Sequence, residues 1–326
     1  MFRAARSKFL SIVNFLIEDG DDMSDRIDGY EEVWRKHLDK IQSLIDHGIT
    51  DLSRILNIIQ KDDMLMSDME DLISNSLNFP RDKRNIPLFK LIVSNRKYVS
   101  VPRGYTCNMA VANVVSRIAE DTDVLVELGS GWGRNLFLTY LQNPFDHVRY
   151  VACEPTESGR QATEILGSLD NDICVTAHYF DFDEPDLSFL TGKPNVLFFT
   201  NHSIEQCVHF DCRVFDMMME TSSKCTCVHM EPVGWQNDPQ AGMVKRIIEK
   251  DRIPAVSSFK MTFSDKHLAE NAMVWASKFK YNTDLLNTID HYQKSGIIDV
   301  DTFYLDFFGD NPLNPSTLIV WHKNGS

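Results

Sequence analysis

The sequence has 326 residues, enough for one large domain or about two smaller ones. Hydrophobic residues make up 43% of it and charged residues 25%, which excludes a disordered, collagen-like or coiled-coil protein for most of the chain. The 47 acidic residues outnumber the 33 basic ones and give a formal net charge of −14. Such a charge repels nucleic-acid backbones and anionic lipid surfaces, so we expect neither as a partner.

The sequence predicts a cytoplasmic protein. No run of apolar residues approaches the ~18 that a membrane-spanning helix needs. Residues 9–17 are rich in apolar side chains, but acidic residues follow them where a secretory signal would have small residues for cleavage. Their apolar positions are spaced as in an amphipathic helix. The seven cysteines are odd in number and scattered, which is typical of reduced thiols.

Helical periodicity dominates the first part of the chain. Apolar residues recur at helical spacing over residues 30–45, 52–59 and 64–77. We therefore expect a helical N-terminal domain or cap over residues 1–97. It contains no nucleophile or metal-ligand spacing, so its expected roles are packing, covering a substrate, or forming a homo-oligomer.

Strands and helices alternate in the second part, residues 98–326. Strands are predicted at residues 124–128, 148–153, 173–180, 195–200 and 224–230, with helices between them. This alternation predicts an α/β fold with a parallel sheet. Two further runs, 297–308 and 317–322, are separated by a turn-rich spacer and predict an antiparallel pair. Residues from about 232 to 281 are long for a simple crossover, so we expect an insertion there that covers a site.

Three of the fifteen glycines lie within residues 129–133, which read Gly-Ser-Gly-Trp-Gly. They follow the first predicted strand of the sheet and precede a helix. Glycine lets the backbone turn sharply and approach a ligand closely, and a helix N-terminus offers unpaired N–H groups. The next strand ends at Glu154, where a carboxylate can accept hydrogen bonds from the ribose of a nucleoside cofactor. Arg134 stands at the third glycine position of the dinucleotide fingerprint, so a nicotinamide-dependent oxidoreductase is the less favoured alternative.

The order Glu127-x-Gly129-x-Gly131-x-Gly133 resembles the first motif of the class I S-adenosylmethionine-dependent methyltransferases. Glu154 matches that family's ribose-binding acid. Residues 181–183 look like the segment that holds the adenine, and residues 199–206 stand where the family has a motif after its fourth strand. The final hairpin is similar to the family's antiparallel seventh strand.

This resemblance implies a Rossmann-like, seven-stranded methyltransferase sheet and an enzyme that uses S-adenosyl-L-methionine. The cofactor-binding residues that it implies are Glu127, Gly129, Gly131, Trp132, Gly133, Asn135, Glu154, Asp181, Phe182 and Asn201. Arg103 is either a further contact, to the methionine carboxylate of the cofactor, or a surface cation.

Methyl transfer to a hydroxyl requires an aligned acceptor, exclusion of water and removal of a proton. His202 follows the fourth predicted strand and has a pKa range that suits a base, although it could instead close the strand end by hydrogen bonds. His229 and Glu231 form an i, i+2 pair at the end of the fifth strand. They could be a base and its orienting group, two metal ligands, or a structural pair. No other metal-ligand spacing is present, so we expect no metal.

Within the family, residues 201–206 and the long insertion most resemble bacterial sugar O-methyltransferases. The implied acceptor is therefore a small molecule, such as a sugar or a nucleotide sugar, that is methylated on a hydroxyl. The remaining alternative is a methyltransferase-like scaffold that binds the cofactor without turnover.

Overall fold

The structure is a computed structural model that describes residues 23–64, 73–105, 109–249 and 262–325. The amphipathic stretch expected at residues 9–17 lies outside the described residues, as does part of the third helical stripe. No helix among the described residues is both long enough and apolar enough to cross a membrane.

The helices and strands have the following bounds. The helices are α1 (Met23–Asp46), α2 (Leu52–Met64), α3 (Met109–Ile118), α4 (Arg134–Gln142), α5 (Glu157–Gly167), α6 (Arg213–Thr221), α7 (Ala241–Glu249), α8 (Leu268–Lys278) and α9 (Leu285–Lys294). The strands are β1 (Phe89–Ser94), β2 (Lys97–Pro102), β3 (Val124–Leu128), β4 (Arg149–Cys153), β5 (Cys174–His178), β6 (Asn195–Asn201), β7 (Lys224–Glu231), β8 (Ile298–Gly309) and β9 (Ser316–Lys323). All seven predicted strands are confirmed to within two residues at each end.

The described residues form two compact units, each built from separate stretches of the chain. The first contains residues 23–64, 111–199 and 220–223, and the second contains residues 73–105, 109–110, 200–219 and 224–325. These units cut across the two sequence ranges expected for domains.

The first unit contains the parallel part of the fold. Strand β3 pairs in parallel with β4 and with β6, and β4 pairs in parallel with β5. Every residue of β3 is buried, which explains why this strand reads as a continuous apolar run around one glutamate. Parallel strands end at the same edge of a sheet, so the segments after β3 and β4 come together there.

Helices α1 and α2 belong to this first unit. The apolar stripes in the sequence predict both helices, and residues of these stripes, Ile41, Ile55 and Ile59, are almost completely buried. Helix α1 packs along α5, the helix that follows β4. These two helices are therefore part of the same compact body as the glycine-rich turn.

The expectation of a wholly helical segment up to residue 97 is wrong at its end. Strand β1 lies within that range and pairs antiparallel with β2. Asn95 and Arg96 make the connecting turn with φ of 49° and 62°, the left-handed conformation that two-residue hairpins use. Lys90 and the three apolar residues that follow it are all buried, so the sequence of β1 lacks the apolar/polar alternation that indicates a strand.

The second unit contains an antiparallel arrangement. Strand β9 lies between β7 and β8, and β8 pairs with β1. The predicted hairpin of β8 and β9 is thus confirmed. The described residues contain nine strands rather than the expected seven, and β1 and β2 account for the difference. The expected insertion contains α7 and α8, whose buried faces pack around Trp235.

Candidate cofactor site and histidine cluster

The turn after β3 depends on the conformation of its three glycines. Gly129, Gly131 and Gly133 have φ of 73°, 56° and 80°, a region that other residues adopt only with strain. The backbone N–H groups of Gly129 and Ser130 donate to the carbonyl of Cys153 at 2.8 and 3.0 Å. The turn is therefore fixed to the end of β4, and α4 begins directly after Gly133.

Helix α5 packs closely against this turn. A Cβ added to Gly133 would lie 2.7 Å from Oγ1 of Thr163. A Cβ added to Gly159 would lie 2.6 Å from the backbone oxygen of Gly131. Both glycines thus permit an approach of helix and turn that any side chain would prevent.

Glu154 connects the end of β4 to the glycine turn. Its Oε2 accepts a hydrogen bond of 2.8 Å from the Gly131 backbone, and its Oε1 accepts one of 2.7 Å from the Thr156 hydroxyl. The residue is 4% exposed. Burial raises the pKa of this carboxyl above its usual range, while the hydrogen bonds from Thr156 and Gly131 oppose the shift.

Glu127 lies behind the turn and supports α4. Its carboxylate accepts hydrogen bonds from the Asn135 side chain at 2.9 Å and from the Leu136 backbone at 3.2 Å. The second of these satisfies one of the free N–H groups at the start of the helix. Burial raises the pKa of Glu127 to about 8. Glu127 and Asn135 therefore hold the helix in place from inside the fold.

Two buried polar atoms next to the turn have no hydrogen-bond partner among the described residues. They are Oγ of Ser130 and Nε of Arg134. Buried polar atoms are normally hydrogen-bonded, because leaving one unsatisfied costs about 1–3 kcal/mol. A polar ligand at the turn would provide the missing partners.

The segment after β5 also belongs to the first unit. Asp181 accepts a hydrogen bond of 2.9 Å from the backbone of Asp183, so the segment forms a local turn. Phe182 is buried and meets Phe180 edge to face, with ring centroids 5.1 Å apart. Of the two residues expected to bind the cofactor here, Asp181 and Phe182, the half-buried Asp181 is the more accessible to a ligand.

In the second unit, His202 follows β6 and has a φ of 54°. Its Nδ1 lies 3.0 Å from Oε2 of Glu205, and its Nε2 lies 2.8 Å from Oγ of Ser316. Nδ1 also lies 3.2 Å from the side-chain nitrogen of Asn314. We assign the hydrogen to Nδ1 because the carboxylate of Glu205 is the nearer partner and can only accept, which leaves Nε2 of the neutral ring to accept from Ser316. The His202 side chain is 30% exposed. The base expected from the sequence thus has a carboxylate that orients it.

His229 occupies a different environment in the core of the second unit. The Trp321 indole donates to its Nε2 at 3.0 Å, and its Nδ1 lies 3.0 Å from the Thr200 hydroxyl. Because an indole only donates, the neutral ring carries its hydrogen on Nδ1. Burial lowers the pKa of His229 to about 3. Both nitrogens of this fully buried ring are therefore engaged within the core of the second unit.

Glu231 is also completely buried. Its Oε1 accepts from the Ser203 backbone at 3.1 Å, and its Oε2 accepts from the Glu205 backbone at 3.3 Å. Burial raises the pKa of Glu231 to about 7, with the negative charge of Glu205 adding to the shift. These two bonds connect the end of β7 to the segment that carries His202. The described residues offer no group of three or more metal-ligating side chains.

Arg103 and Asn201 also belong to the second unit. Arg103 is half-buried after β2, and its backbone N–H donates to the carbonyl of Leu88 at 3.0 Å. Asn201 is half-buried at the end of β6. The structure therefore brings most of the expected cofactor residues together in the first unit, and these two lie in the other.

Several residues around the glycine turn and around His202 were not among those predicted from the sequence. Thr156 caps α5 by accepting from the Gly159 backbone, and a threonine three residues before a glycine in a predicted helix start could have indicated it. Trp34 of α1 contacts Gly131, and Ser316 contacts His202. No local signal could have indicated these last two, because their partners are distant in sequence.

The sequence matches no protein-family model and no curated protein. Three solved structures illustrate what the fold is similar to. The plantazolicin methyltransferase BpumL in complex with SAH has 10% identity and a TM-score of 0.39, covering 66% of this chain and 83% of that chain. Cofactor-bound Rv0187 from MTB has 10% identity and a TM-score of 0.38, covering 68% and 83%. The pyocyanin biosynthetic protein PhzM has 14% identity and a TM-score of 0.41, covering 66% and 55%. Likenesses at this level do not transfer a function.

Proposed function

We propose that this protein is a class I S-adenosyl-L-methionine-dependent methyltransferase whose cofactor binds at the glycine turn of the first unit. One observation carries the proposal. Three glycines in the left-handed conformation directly follow a buried parallel strand, and the turn they make is hydrogen-bonded to Glu154 at the end of the neighbouring strand. This is the arrangement in which a backbone can approach a nucleoside cofactor and a carboxylate can hold its ribose.

The residues at the turn fit such a ligand. The cofactor supplies an electrophilic methyl group on a sulfonium. Gly131 has no side chain that would keep a ligand from the backbone of the turn, and Glu154 would accept hydrogen bonds from the ribose hydroxyls once the space occupied by Trp34 is vacated. The hydroxyl of Ser130 and Nε of Arg134 are the buried polar atoms that a polar ligand would satisfy. We expect Asp181, on the segment after β5, to bind the adenine.

We propose that His202 removes the proton of the acceptor hydroxyl. Glu205 orients the ring and keeps the hydrogen on Nδ1, which leaves Nε2 as the nitrogen that takes a proton. Ser316 occupies Nε2 in this structure and would have to turn away when the acceptor binds. We favour His202 over His229 as the base because an acceptor can reach the partly exposed His202 ring, whereas the His229 ring is completely buried.

The acceptor class follows from the resemblance of residues 201–206 to sugar O-methyltransferases, and we propose a hydroxyl of a sugar or a nucleotide sugar.

Calorimetry with S-adenosylhomocysteine and with NADH tests which cofactor the protein binds. We expect the first to bind and the second not to bind. Binding of NADH alone would favour the oxidoreductase alternative. Labelled S-adenosylmethionine with a panel of sugars and nucleotide sugars tests the acceptor, and binding without turnover on any of them would favour the scaffold alternative.

A further inference from the structure

Helix α1 lies directly on the glycine turn within the first unit. Glu31, Trp34 and His37 are three residues apart and therefore share one face of the helix. The Glu31 carboxylate accepts a hydrogen bond of 3.1 Å from the Ser158 backbone at the start of α5, and the Glu31 carbonyl accepts one of 3.0 Å from the Ser158 hydroxyl. The His37 ring stacks on the Trp132 indole with centroids 5.3 Å apart.

The indole of Trp34 fills the space in front of Gly131. A Cβ built on Gly131 would lie 2.9 Å from Cζ2, 3.2 Å from Cε2 and 3.3 Å from Cη2 of that ring. All three distances are shorter than the ~3.5–4.0 Å of an unstrained carbon contact. The ring thus occupies the position that the side chain of any other amino acid would need.

The proposed function requires the same space. A cofactor lies against the backbone of the turn because Gly131 has no side chain, so a ring that already fills that position excludes it. Glu154 is also inaccessible in this structure, since it is 4% exposed and its two oxygens accept hydrogen bonds from Gly131 and Thr156. Trp34 therefore covers the Gly131 side of the turn while α1 is docked, and the Glu154 carboxylate must also exchange one of these bonds before it can bind a ribose.

We infer that α1 is a gate over the cofactor site, and that Trp34 leaves Gly131 when the cofactor binds. This inference rests on the proposed function and names the part of the chain that controls access to it. The apparent affinity of a ligand equals its intrinsic affinity multiplied by the fraction of molecules in which the site is open. A substitution that weakens the docked state therefore increases the affinity, even though it removes a contact.

Calorimetry of the full-length chain with S-adenosylhomocysteine tests the gate. We expect Trp34→Ala to bind about tenfold more tightly than the parent, because a larger fraction of the molecules is open. Glu31→Ala should also bind more tightly, since it removes a contact to α5 without entering the cofactor space. The matched control is Lys36→Ala, which removes only an exposed ion pair with Glu32 and should bind like the parent.

Weaker binding by Trp34→Ala would overturn the gate, because the indole would then be a wall that contacts the bound cofactor. Hydrogen exchange gives an independent readout, and we expect the amides of residues 31–41 to exchange faster after S-adenosylhomocysteine is added. Slower exchange there would also overturn the gate. If the parent does not bind but Trp34→Ala does, the gate is supported. If the parent and all variants fail to bind, the proposed function itself is wrong.

Discussion

The backbone N–H of Gly131 donates a hydrogen bond of 2.8 Å to Oε2 of Glu154, the residue 23 positions later in the chain. The bond joins the segments that follow two neighbouring parallel strands, β3 and β4. A change at either residue should therefore affect the other, and a ligand that hydrogen-bonds to the carboxylate also acts on the conformation of the glycine turn.

The substitution Glu154→Gln should weaken S-adenosylhomocysteine binding by about 1.5–3 kcal/mol, the usual value for a hydrogen bond to a charged group. Glutamine keeps the size of the side chain and one accepting oxygen, so the turn should remain folded. Calorimetry measures the affinity, and urea unfolding checks the fold. The matched control is Glu157→Gln, an exposed carboxylate in the first turn of α5, which should bind like the parent. Equal affinity of Glu154→Gln and the parent would place the ribose contact elsewhere.

The strands and the glycine turn could be predicted from the sequence because their signals are local. The run 124–128 is apolar, glycines follow it directly, and Glu154 ends the next apolar run. Strand β1 could not be predicted in the same way, because Lys90 and the three apolar residues that follow it are all buried and show no alternation.

The environment of both candidate sites could not be predicted, because it depends on contacts between distant parts of the chain. Glu31 and Ser158 are 127 residues apart, and His202 and Ser316 are 114 residues apart. Periodicity shows that α1 has an apolar face, but it does not show which surface that face covers. The i, i+2 spacing of His229 and Glu231 likewise gave no indication that both are fully buried.

The substitution Gly131→Ala should destabilise the fold more than Gly192→Ala does. Both glycines have a positive φ, of 56° and 79°, so both alanines incur a left-handed backbone cost of about 1–2 kcal/mol. Only Gly131 has a neighbour within reach of the new Cβ, the Trp34 indole at 2.9 Å. We expect this overpacking to add about 1–3 kcal/mol, measured as the difference in free energy of unfolding between the two variants.

A double substitution identifies the source of that difference. Trp34→Ala in the Gly131→Ala background should remove most of the additional loss, because the two side chains then no longer overlap. If the loss remains in the double variant, the backbone of the turn rather than the indole is responsible.

The substitution His202→Asn should reduce methyl transfer by about 10²–10⁴-fold, the usual contribution of a general base. Asparagine tolerates the left-handed backbone at this position better than alanine does, so the variant tests chemistry rather than folding. Affinity for S-adenosylhomocysteine should change little. His209→Asn is the matched control in the same unit, since its ring is 63% exposed and paired only with Asp284 among the contacts described. Near-parent turnover of His202→Asn would assign the proton transfer to another group.

The pH dependence of stability should report the burial of Glu231. Burial raises the pKa of this carboxyl in the folded protein from its ordinary value of 4.5 to about 7, so the folded state binds the proton more tightly than the unfolded chain does. The resulting stabilisation is complete below pH 4.5 and is lost as the pH rises through about 7.

The substitution Glu231→Gln isolates this contribution, because an amide does not titrate and still accepts one hydrogen bond from the Ser203 or Glu205 backbone. We expect the free energy of unfolding of the parent to fall more between pH 5 and pH 8 than that of Glu231→Gln, by up to about 3 kcal/mol. Urea unfolding at the two pH values measures both slopes. Glu270→Gln, at an exposed position on α8, should keep the slope of the parent. Parallel slopes for the parent and Glu231→Gln would show that the carboxylate is ionised in the folded protein, held by the N–H groups of Ser203 and Glu205.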